Sequence, residues 1–430
     1  MVITGRPALA MLVGIIPCLL WPSWVTAVYW TALVVLVTLV DLALVPSPRR
    51  LLVEREPTRS VRVDEPTETS LLLTNLGRRR RRGLLRDAWQ PSAGAHPNRH
   101  RFSLPGGERT RLTTPLLPTR RGTLQCRHVT VRVSGPLGFA ARQLRFDSPG
   151  TLEAMPAFPS RKHLPSRMAK LQQLEGRALT RTRGQGTEFD SLRDYVEGDD
   201  VRSIDWRGTA RKQTVVVRTW RPERDRRIML VLDTSRVSAA RVGDVPRLDT
   251  AMDAVQLLAA LAARAGDRVD LIAGDREVLA TVKGVQRTDA LPRITQAMSH
   301  LEPALVEADW TCLGSAIAES GRGYSLVVLL TPLEPAAVEE SLAPTLQVLA
   351  RRHRVLVASV SDDALVDLTN HRDTAREVYQ AAAAEDSLDR RRRVAQGLKK
   401  LGVTVLDEPP ARLPVVLADH YLMLKSLGQL

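Results

Sequence analysis

The first 48 residues are dominated by two apolar runs of different length. Val25 to Val45 is almost continuously apolar. Ala8 to Trp24 is shorter and is broken by Pro17 and Pro22. A helix needs about 20 apolar residues to cross a bilayer core, so the second run is long enough and the first is marginal. We therefore predict a transmembrane helical hairpin over residues 1–48. A cleaved signal peptide is the alternative, although no small-residue cleavage site separates the two runs.

Basic residues flank this apolar pair on both sides. Arg6 precedes it, and Arg49 and Arg50 follow it. Positive charge favours the cytoplasmic side of a membrane, so both ends of the hairpin are expected to face the cytoplasm. The sequence thus predicts a protein of the cell membrane with two helices and with the bulk of the chain in the cytoplasm.

Short alternating or apolar runs follow between Leu51 and Gly150. They are separated by proline and glycine signals, which is typical of a small antiparallel β-sandwich, predicted here over residues 49–158. The expected strands are Ser60–Val63, Ser70–Thr74, Thr110–Leu117, Val129–Val133 and Gln143–Phe146. The basic run from Arg78 to Arg82 falls on a predicted turn. It is interpreted as a solvated hairpin tip, with contact to lipid headgroups as the alternative.

From residue 226 to residue 430 the pattern changes to alternating strands and helices. Ile228–Leu232 and Leu326–Leu330 are fully apolar, as expected of buried parallel strands, and a helix with one apolar face is predicted over Leu248–Ala265. Val269–Ala273 and Glu277–Val282 are separated by a turn and read as a hairpin. This alternation predicts a doubly wound α/β domain, and the early hairpin strand is the arrangement of a von Willebrand factor A domain.

Residues 159–225 connect these two parts and combine dense charge with large apolar side chains. Phe189, Tyr195 and Trp206 recur among alternating acids and arginines. Flexible linkers lack such side chains, and a segment without them stays disordered because it cannot offset the entropy of ordering. We expect an ordered clasp that fixes the sandwich relative to the α/β domain, with those three residues as anchors. The expected ionic ties are Arg193, Asp199, Asp200, Arg202 and Asp205, and Asp205→Ala is expected to destabilise the fold.

The same segment resembles the signature of domain of unknown function family fifty-eight. Its positions are Arg181 or Arg183, Gly184, Gly186, Glu188, Phe189, Leu192, Arg193, Tyr195, Gly198, Asp199, Asp200, Arg202, Ile204, Asp205, Trp206, Ala210, Arg211 and Glu223. The resemblance implies a membrane-anchored protein with a von Willebrand A-like domain, associated with MoxR-type AAA+ ATPases. The biochemical role of that family is not established, so the resemblance indicates architecture better than chemistry.

Composition adds little that is specific. The net charge is +15, and three cysteines lie far apart with no CxxC pair. The charge suits solvated arginine-rich surfaces, an anionic membrane or nucleic acid, of which nucleic acid is the least favoured. The cysteine spacing excludes a disulfide framework and a thiolate zinc site, in agreement with a reducing compartment.

One candidate metal site follows the first strand of the α/β domain. Asp233 and Ser235 match two positions of the Asp-x-Ser-x-Ser motif of von Willebrand A domains, but Val237 stands at the third. Mg²⁺ prefers oxygen ligands, which valine lacks. The loop after Leu326–Leu330 begins with Thr331 and has no aspartate where that fold has one, and Thr311 is a weak candidate for the remaining hydroxyl. We therefore expect Mg²⁺ binding to be weak or absent and Asp233 to form local hydrogen bonds.

Other catalytic signatures are missing from the sequence. It contains no P-loop, no Gly-x-Ser-x-Gly elbow and no His-Glu-x-x-His helix. We therefore expect no enzymatic activity and no certain cofactor. The predicted function is a membrane-tethered adaptor or co-chaperone that contacts the lipid bilayer and binds a MoxR-type AAA+ ATPase, the partner that the resemblance implies. A basic protein that binds membrane surfaces or nucleic acid is one alternative, and a cryptic hydrolase is the other.

Overall fold

The computed structural model describes residues 2–181, 188–197, 199–221, 226–285, 288–321 and 323–430. The chain folds into two compact units, Met1–Met155 and Pro156–Leu430. The predicted hairpin and β-sandwich lie in the first unit, and the predicted clasp and α/β domain lie in the second. The mixed α+β, multidomain class expected from the sequence is therefore confirmed.

The first unit opens with a two-residue strand and three helices: β1 (Val2–Ile3), α1 (Arg6–Val13), α2 (Ile15–Leu20) and α3 (Trp24–Leu44). The Ser23 side chain accepts a hydrogen bond from the Val25 N–H and caps α3. One stretch, Trp24–Arg50, is long and apolar enough to cross a membrane, whereas Arg6–Leu20 is shorter. The structure thus supports one possible membrane span by length and composition, and the first apolar run is divided into two short helices, α1 and α2.

Asp41, in the last turn of α3, ties that helix to a distant turn of the sandwich. Its carboxylate accepts hydrogen bonds from the backbone N–H groups of Leu137 (2.9 Å), Phe139 (2.7 Å) and Ala140 (2.8 Å). Asp41 has no exposed surface. A Cβ atom at Gly135 would collide with this carboxylate, so the turn requires glycine there. The carboxylate that binds the N–H groups of this turn therefore comes from α3.

The remaining strands of this unit form two sheets that share a core. They are β2 (Leu51–Arg55), β3 (Val61–Arg62), β4 (Thr67–Asn75), β5 (Arg81–Trp89), β6 (Arg99–Leu104), β7 (Arg109–Leu116), β8 (Gly122–Ser134) and β9 (Ala140–Met155). One sheet has the order β1-β9-β8-β5-β6, with β3 beside β9, and the other has the order β2-β4-β7. Leucines of β2 and β4 pack against valines of β8 in one apolar core, as a sandwich requires.

Four strands of this unit, β1, β2, β5 and β6, were not expected from the sequence. The predicted turn at Arg78–Arg82 is shorter than expected, because β5 already begins at Arg81. The interpretation of this turn as a hairpin tip is wrong, because β4 and β5 belong to different sheets. Alternation explains the strand: Leu85, Asp87 and Trp89 point inward, and the less buried Arg86 and Ala88 lie between them. The inward aspartate hides this pattern in the sequence.

The second unit contains eleven helices and ten strands among the described residues. The helices are α4 (Leu164–Arg181), α5 (Trp206–Lys212), α6 (Arg236–Ala239), α7 (Arg247–Arg264), α8 (Ala290–Ser299), α9 (Trp310–Glu319), α10 (Pro335–Ala337), α11 (Ala343–Ala350), α12 (Asp363–Asn370), α13 (Ala375–Lys400) and α14 (Leu413–Ser426). The strands are β10 (Glu188–Asp194), β11 (Val216–Arg221), β12 (Arg227–Asp233), β13 (Arg241–Val242), β14 (Val245–Pro246), β15 (Arg268–Gly274), β16 (Val278–Val282), β17 (Tyr324–Leu330), β18 (Arg354–Val360) and β19 (Thr404–Glu408).

The main sheet of this unit has the order β16-β15-β12-β17-β18-β19. All neighbours are parallel except β16, which is antiparallel to β15. Alternate residues of β12 face two separate apolar cores. Ile228, Leu230 and Leu232 pack with α7, α8 and α14, whereas Met229 and Val231 pack with α9, α11 and α13. Helices therefore cover both faces of the sheet, as the uninterrupted apolar strands predicted.

The signature segment forms a small ribbon outside the main sheet. Strands β10 and β11 pair antiparallel, and Ile204 bridges to Val217. Asp205 caps α5 by accepting a hydrogen bond from the Gly208 N–H at 2.9 Å. Local hydrogen bonding therefore joins the described parts of this segment.

Candidate functional site

The order of the main sheet creates one natural place for a binding site. From β12 the chain moves first to β15 on one side and later to β17 on the other side. The crevice outside the carboxyl ends of β12 and β17 is thus the switch point, where open α/β sheets bind their ligands. Asp233 ends β12, and Thr331 follows β17 directly.

Asp233 joins the two strand ends through its carboxylate. One oxygen accepts a hydrogen bond from the Ser235 N–H at 2.8 Å, and the other lies 2.6 Å from the Thr331 hydroxyl. Asp233 has no exposed surface. Burial raises the pKa of this carboxyl group, and the hydrogen bonds from Thr331 and Ser235 oppose the rise only in part. The local hydrogen bonds expected for Asp233 are therefore present.

A second acid, Asp275, completes the polar cluster beside β15. It accepts a hydrogen bond from the Thr234 hydroxyl at 2.8 Å and another from the Arg276 N–H at 2.7 Å. The Ser235 hydroxyl is buried without a partner among the described residues. Each of these polar groups comes directly after a strand, so a search of every strand end would find them in the sequence. The candidate Thr311 instead lies exposed at the start of α9.

A loop closes the crevice above this cluster. Ala304 N–H donates to the Thr234 carbonyl, and Arg236 N–H donates to the Val306 carbonyl, both at 2.8 Å. Arg236 also forms an ion pair with Glu307. Leu305 is held between these contacts, yet 82% of its surface is exposed. The switch point therefore presents a closed polar interior and one projecting apolar side chain.

A guanidinium pair borders the same edge of the sheet. Arg391 makes two hydrogen bonds to Asp407, at 2.6 and 3.3 Å, and another to the Ser359 hydroxyl at 3.2 Å. Arg247, at the start of α7, has a buried Nε without a partner in the described part of the chain. Burial, and then the charge of Arg391, lower the pKa of Arg247. This edge is consequently polar, with the Arg391–Asp407 ion pair and a second arginine that also feels the charges of Asp362 and Glu334.

The cluster does not fit an octahedral Mg²⁺. Such an ion keeps several waters, whereas Asp233, Thr234 and Ser235 have no exposed surface, and Val237 is a buried apolar residue. In the described ranges, no group of three or more histidine, cysteine, aspartate or glutamate residues could hold a metal ion.

Weak or absent Mg²⁺ binding stays a prediction that calorimetry can test. We expect titration of the detergent-solubilised protein with Mg²⁺ to give no micromolar binding, because the crevice would have to open to admit a hydrated ion. A micromolar dissociation constant that Asp233→Ala abolishes would contradict this expectation.

The signature residues form a separate group of contacts in the ribbon. Arg193 makes two hydrogen bonds to Asp199, at 2.7 and 2.6 Å, so this expected ionic tie is present. Asp200 accepts from the backbone N–H of Arg202. Arg218, which is not among the expected ionic ties, pairs with Asp205 at 2.8 Å. The hydrogen bond from Gly208 and then that from Arg218 lower the pKa of Asp205.

Two of the three expected aromatic anchors have exposed side chains. Trp206 is 68% exposed and Tyr195 is 37% exposed, so neither of the two is buried. The reason is local: Trp206 is the first residue of α5, directly after the capping Asp205, and points away from the ribbon. Glu188 and Phe189 lie in β10. Arg183, Gly186, Gly198 and Glu223 lie outside the described residues.

Similarity to solved structures is low. The PapD-like domain of human CEP192 is 14% identical and covers 25% of this chain and 87% of its own, with a TM-score of 0.20. The α-2-macroglobulin of Escherichia coli is 14% identical and covers 24% of this chain and 7% of its own, with a TM-score of 0.19.

Similarity to sequences is more specific. Uncharacterized proteins of Mycobacterium tuberculosis H37Rv and Mycobacterium bovis are each 27% identical over 203 residues. The match covers 45% of this chain and 61% of each relative. The family model described as protein of unknown function DUF58 matches residues 191–375, which confirms the resemblance carried by the second half of the signature and extends it into the α/β unit as far as residue 375.

Proposed function

We propose that this protein is a membrane-anchored cytoplasmic adaptor that binds a protein partner at the carboxyl edge of its α/β unit. The observation that carries the proposal is Leu305, an apolar side chain held in an exposed position over the closed switch point. Burying this side chain against a partner would be favourable, which supports a protein contact at this edge.

The anchor in this proposal is a hairpin of α1–α2 against α3. Trp30 Nε1 donates to the Ala10 carbonyl at 3.1 Å, so the two segments are in contact. Thr4 and Arg6 before α1 donate to carbonyls of the turn at residues 137–139, and Asp41 at the end of α3 binds the same turn. Both ends of the pair therefore meet on one side, which supports a hairpin. As a helix, Arg6–Leu20 would extend roughly 22 Å, less than the bilayer core, so this arm would enter the membrane without fully matching its thickness.

The partner is a MoxR-type AAA+ ATPase. This identity follows from the family resemblance, as does the von Willebrand A-like character of the α/β unit. The antiparallel edge strand β16 beside an otherwise parallel sheet is consistent with that character. A role in assembling or activating other proteins fits a site whose polar groups are buried in mutual hydrogen bonds and unavailable for catalysis.

Affinity purification from the native host, followed by mass spectrometry, tests this proposal. We expect an AAA+ ATPase to co-purify with the detergent-solubilised protein and to be lost with Leu305→Asp. Loss of a central apolar contact weakens binding by about 2 kcal/mol, or roughly 30-fold. The matched control is Val348→Asp, because Val348 is also exposed but lies near the end of α11, close to the opposite edge of the sheet.

The other outcomes are equally informative. Retention by Leu305→Asp together with loss by Trp206→Ala would move the contact to the signature ribbon. If no ATPase appears under any nucleotide condition, the partner assignment is wrong. Binding that instead follows added DNA and falls steeply with salt would favour the nucleic-acid alternative.

A further inference from the structure

The tip of the loop between β4 and β5, which crosses from one sheet of the sandwich to the other, lies directly beside the end of α3. Arg81, at the start of β5, is buried, and its Nε donates to the Ser47 carbonyl at 3.2 Å. The Leu76 N–H donates to the Arg50 carbonyl at 2.9 Å. Ser47 and Arg50 follow shortly after Leu44, the last residue of α3. The tip is therefore fixed next to the point where α3 ends.

Asn75 holds the tip in this position from the inside. Its side-chain amide donates to the carbonyls of Arg79 (3.0 Å), Leu104 (3.1 Å) and Pro105 (2.8 Å), and its oxygen accepts from Arg81. Asn75 and Arg81 are both buried. One arginine of the basic run is thus structural, and it orients the others.

The remaining basic residues around the tip all face solvent. They are Arg49, Arg50, Arg78, Arg79, Arg80 and Arg82, here called the arginine collar. Within the described ranges, none of the six forms an ion pair. Glu108, whose carbonyl binds the Asn75 N–H, adds one negative charge, which leaves the collar strongly positive. Leu76 beside it is 64% exposed.

We propose that the arginine collar binds the headgroups of anionic lipids around the end of α3. The proposal rests on membrane anchoring through α3, because that helix brings the collar to the bilayer surface. Unpaired arginines at the surface of an anionic leaflet each favour association by about fivefold. The exposed Leu76 lies where it can enter the interface between headgroups and acyl chains. The positive charges of the arginine collar thereby gain partners in the lipid headgroups.

The full chain in nanodiscs tests the proposal. Amide hydrogen exchange of residues 76–82 is compared in discs of phosphatidylcholine alone and in discs that also contain phosphatidylglycerol. We expect exchange at the tip to slow severalfold with phosphatidylglycerol. At 1 M salt, where the Debye length is about 3 Å, the exchange rate should return to its value in phosphatidylcholine discs. Replacing Arg78, Arg79, Arg80 and Arg82 together with glutamine should abolish the effect, while Arg81 is kept because it is structural.

A control with the same loss of charge lies on α13. Arg376, Arg390, Arg392 and Arg393 are exposed there, and their joint replacement with glutamine should leave the lipid effect intact. If exchange is equal in both kinds of disc and the protein stays in them, only the proposal that the collar binds anionic lipids is overturned. Protein that does not stay with the discs overturns the anchor and the collar together. Protection by duplex DNA in phosphatidylcholine discs, without protection by phosphatidylglycerol, would assign the collar to nucleic acid and overturn the lipid proposal.

Discussion

Replacing Asp87 with alanine should lower the free energy of unfolding of the first unit by about 3–5 kcal/mol, because the change leaves a buried arginine without its partner. Asp87 is fully buried, and the Arg55 side chain is only 5% exposed. Two hydrogen bonds join them, at 2.6 and 3.1 Å. Arg55 comes from β2 and Asp87 from β5, so the ion pair connects the two sheets of the sandwich.

Other buried groups depend on the same carboxylate. Trp89 Nε1 donates to Asp87 at 2.9 Å, and the Cys126 thiol lies 3.2 Å from it. Burial, and then the charge of Asp87, raise the pKa of Cys126 to about 12. The native thiol should accordingly resist alkylation at neutral pH, because only the thiolate reacts rapidly.

Hydrogen exchange in the full chain measures this effect at the amides of β5 and β8. The matched control is Glu56→Ala, which removes an ion pair with Arg111 in the same unit that is largely exposed and so worth about 0–1 kcal/mol. Faster alkylation of Cys126 in Asp87→Ala is the second expected sign. If both variants reduce protection equally, the buried pair does not stabilise the sandwich as argued.

Replacing Asp233 with alanine should cost the second unit roughly 2–5 kcal/mol, because two buried donors, the Ser235 N–H and the Thr331 hydroxyl, lose their acceptor. Asp233→Asn should behave differently. Its amide oxygen can still accept from Ser235, and its amide group can donate to the Thr331 oxygen. Asparagine thus resembles the protonated, uncharged form of the aspartate.

The dependence of stability on pH shows whether Asp233 is protonated or ionised in the folded protein. Because the pKa of Asp233 is raised in the folded protein, the folded state keeps a proton that the unfolded chain has released. Stability is therefore greatest below the ordinary carboxyl pKa and falls as pH rises towards the folded-state value. Hydrogen exchange of the β12 amides should show this fall in the wild type and not in Asp233→Asn. A wild type that gains stability over that interval relative to Asp233→Asn would mean that Asp233 is ionised and paired with a cation.

The α/β unit was the easiest part to predict from the sequence. Parallel strands buried on both faces read as continuous apolar runs, and α7 begins and ends within one residue of the predicted helix. The short helix α12, in contrast, was not expected from the sequence. Short helices carry too few turns for a clear apolar period.

Long-range polar contacts could not be predicted in the same way. Asp41 looks like a stray acid at the end of an apolar run, and its partner turn is almost a hundred residues away. Asp87 likewise interrupts the alternation of β5, since an inward acid is acceptable only where Arg55 meets it. Hydrophobic patterns locate strands and helices, but a buried ion pair depends on which strands become neighbours.

The hydrogen bonds of Asp41 have a mechanical consequence for the first unit. Three backbone N–H groups of the loop at residues 137–140 bind Asp41 in the last turn of α3. Thr4 and Arg6, from the segment at the start of the chain, donate to carbonyls of the same loop. The helix has no free pivot at this end, so the sandwich must follow any change in its inclination. Membrane helices tilt when the hydrocarbon layer becomes thinner than their apolar length. For an α3 that spans a bilayer, lipid composition would thereby set the angle between the sandwich and the membrane.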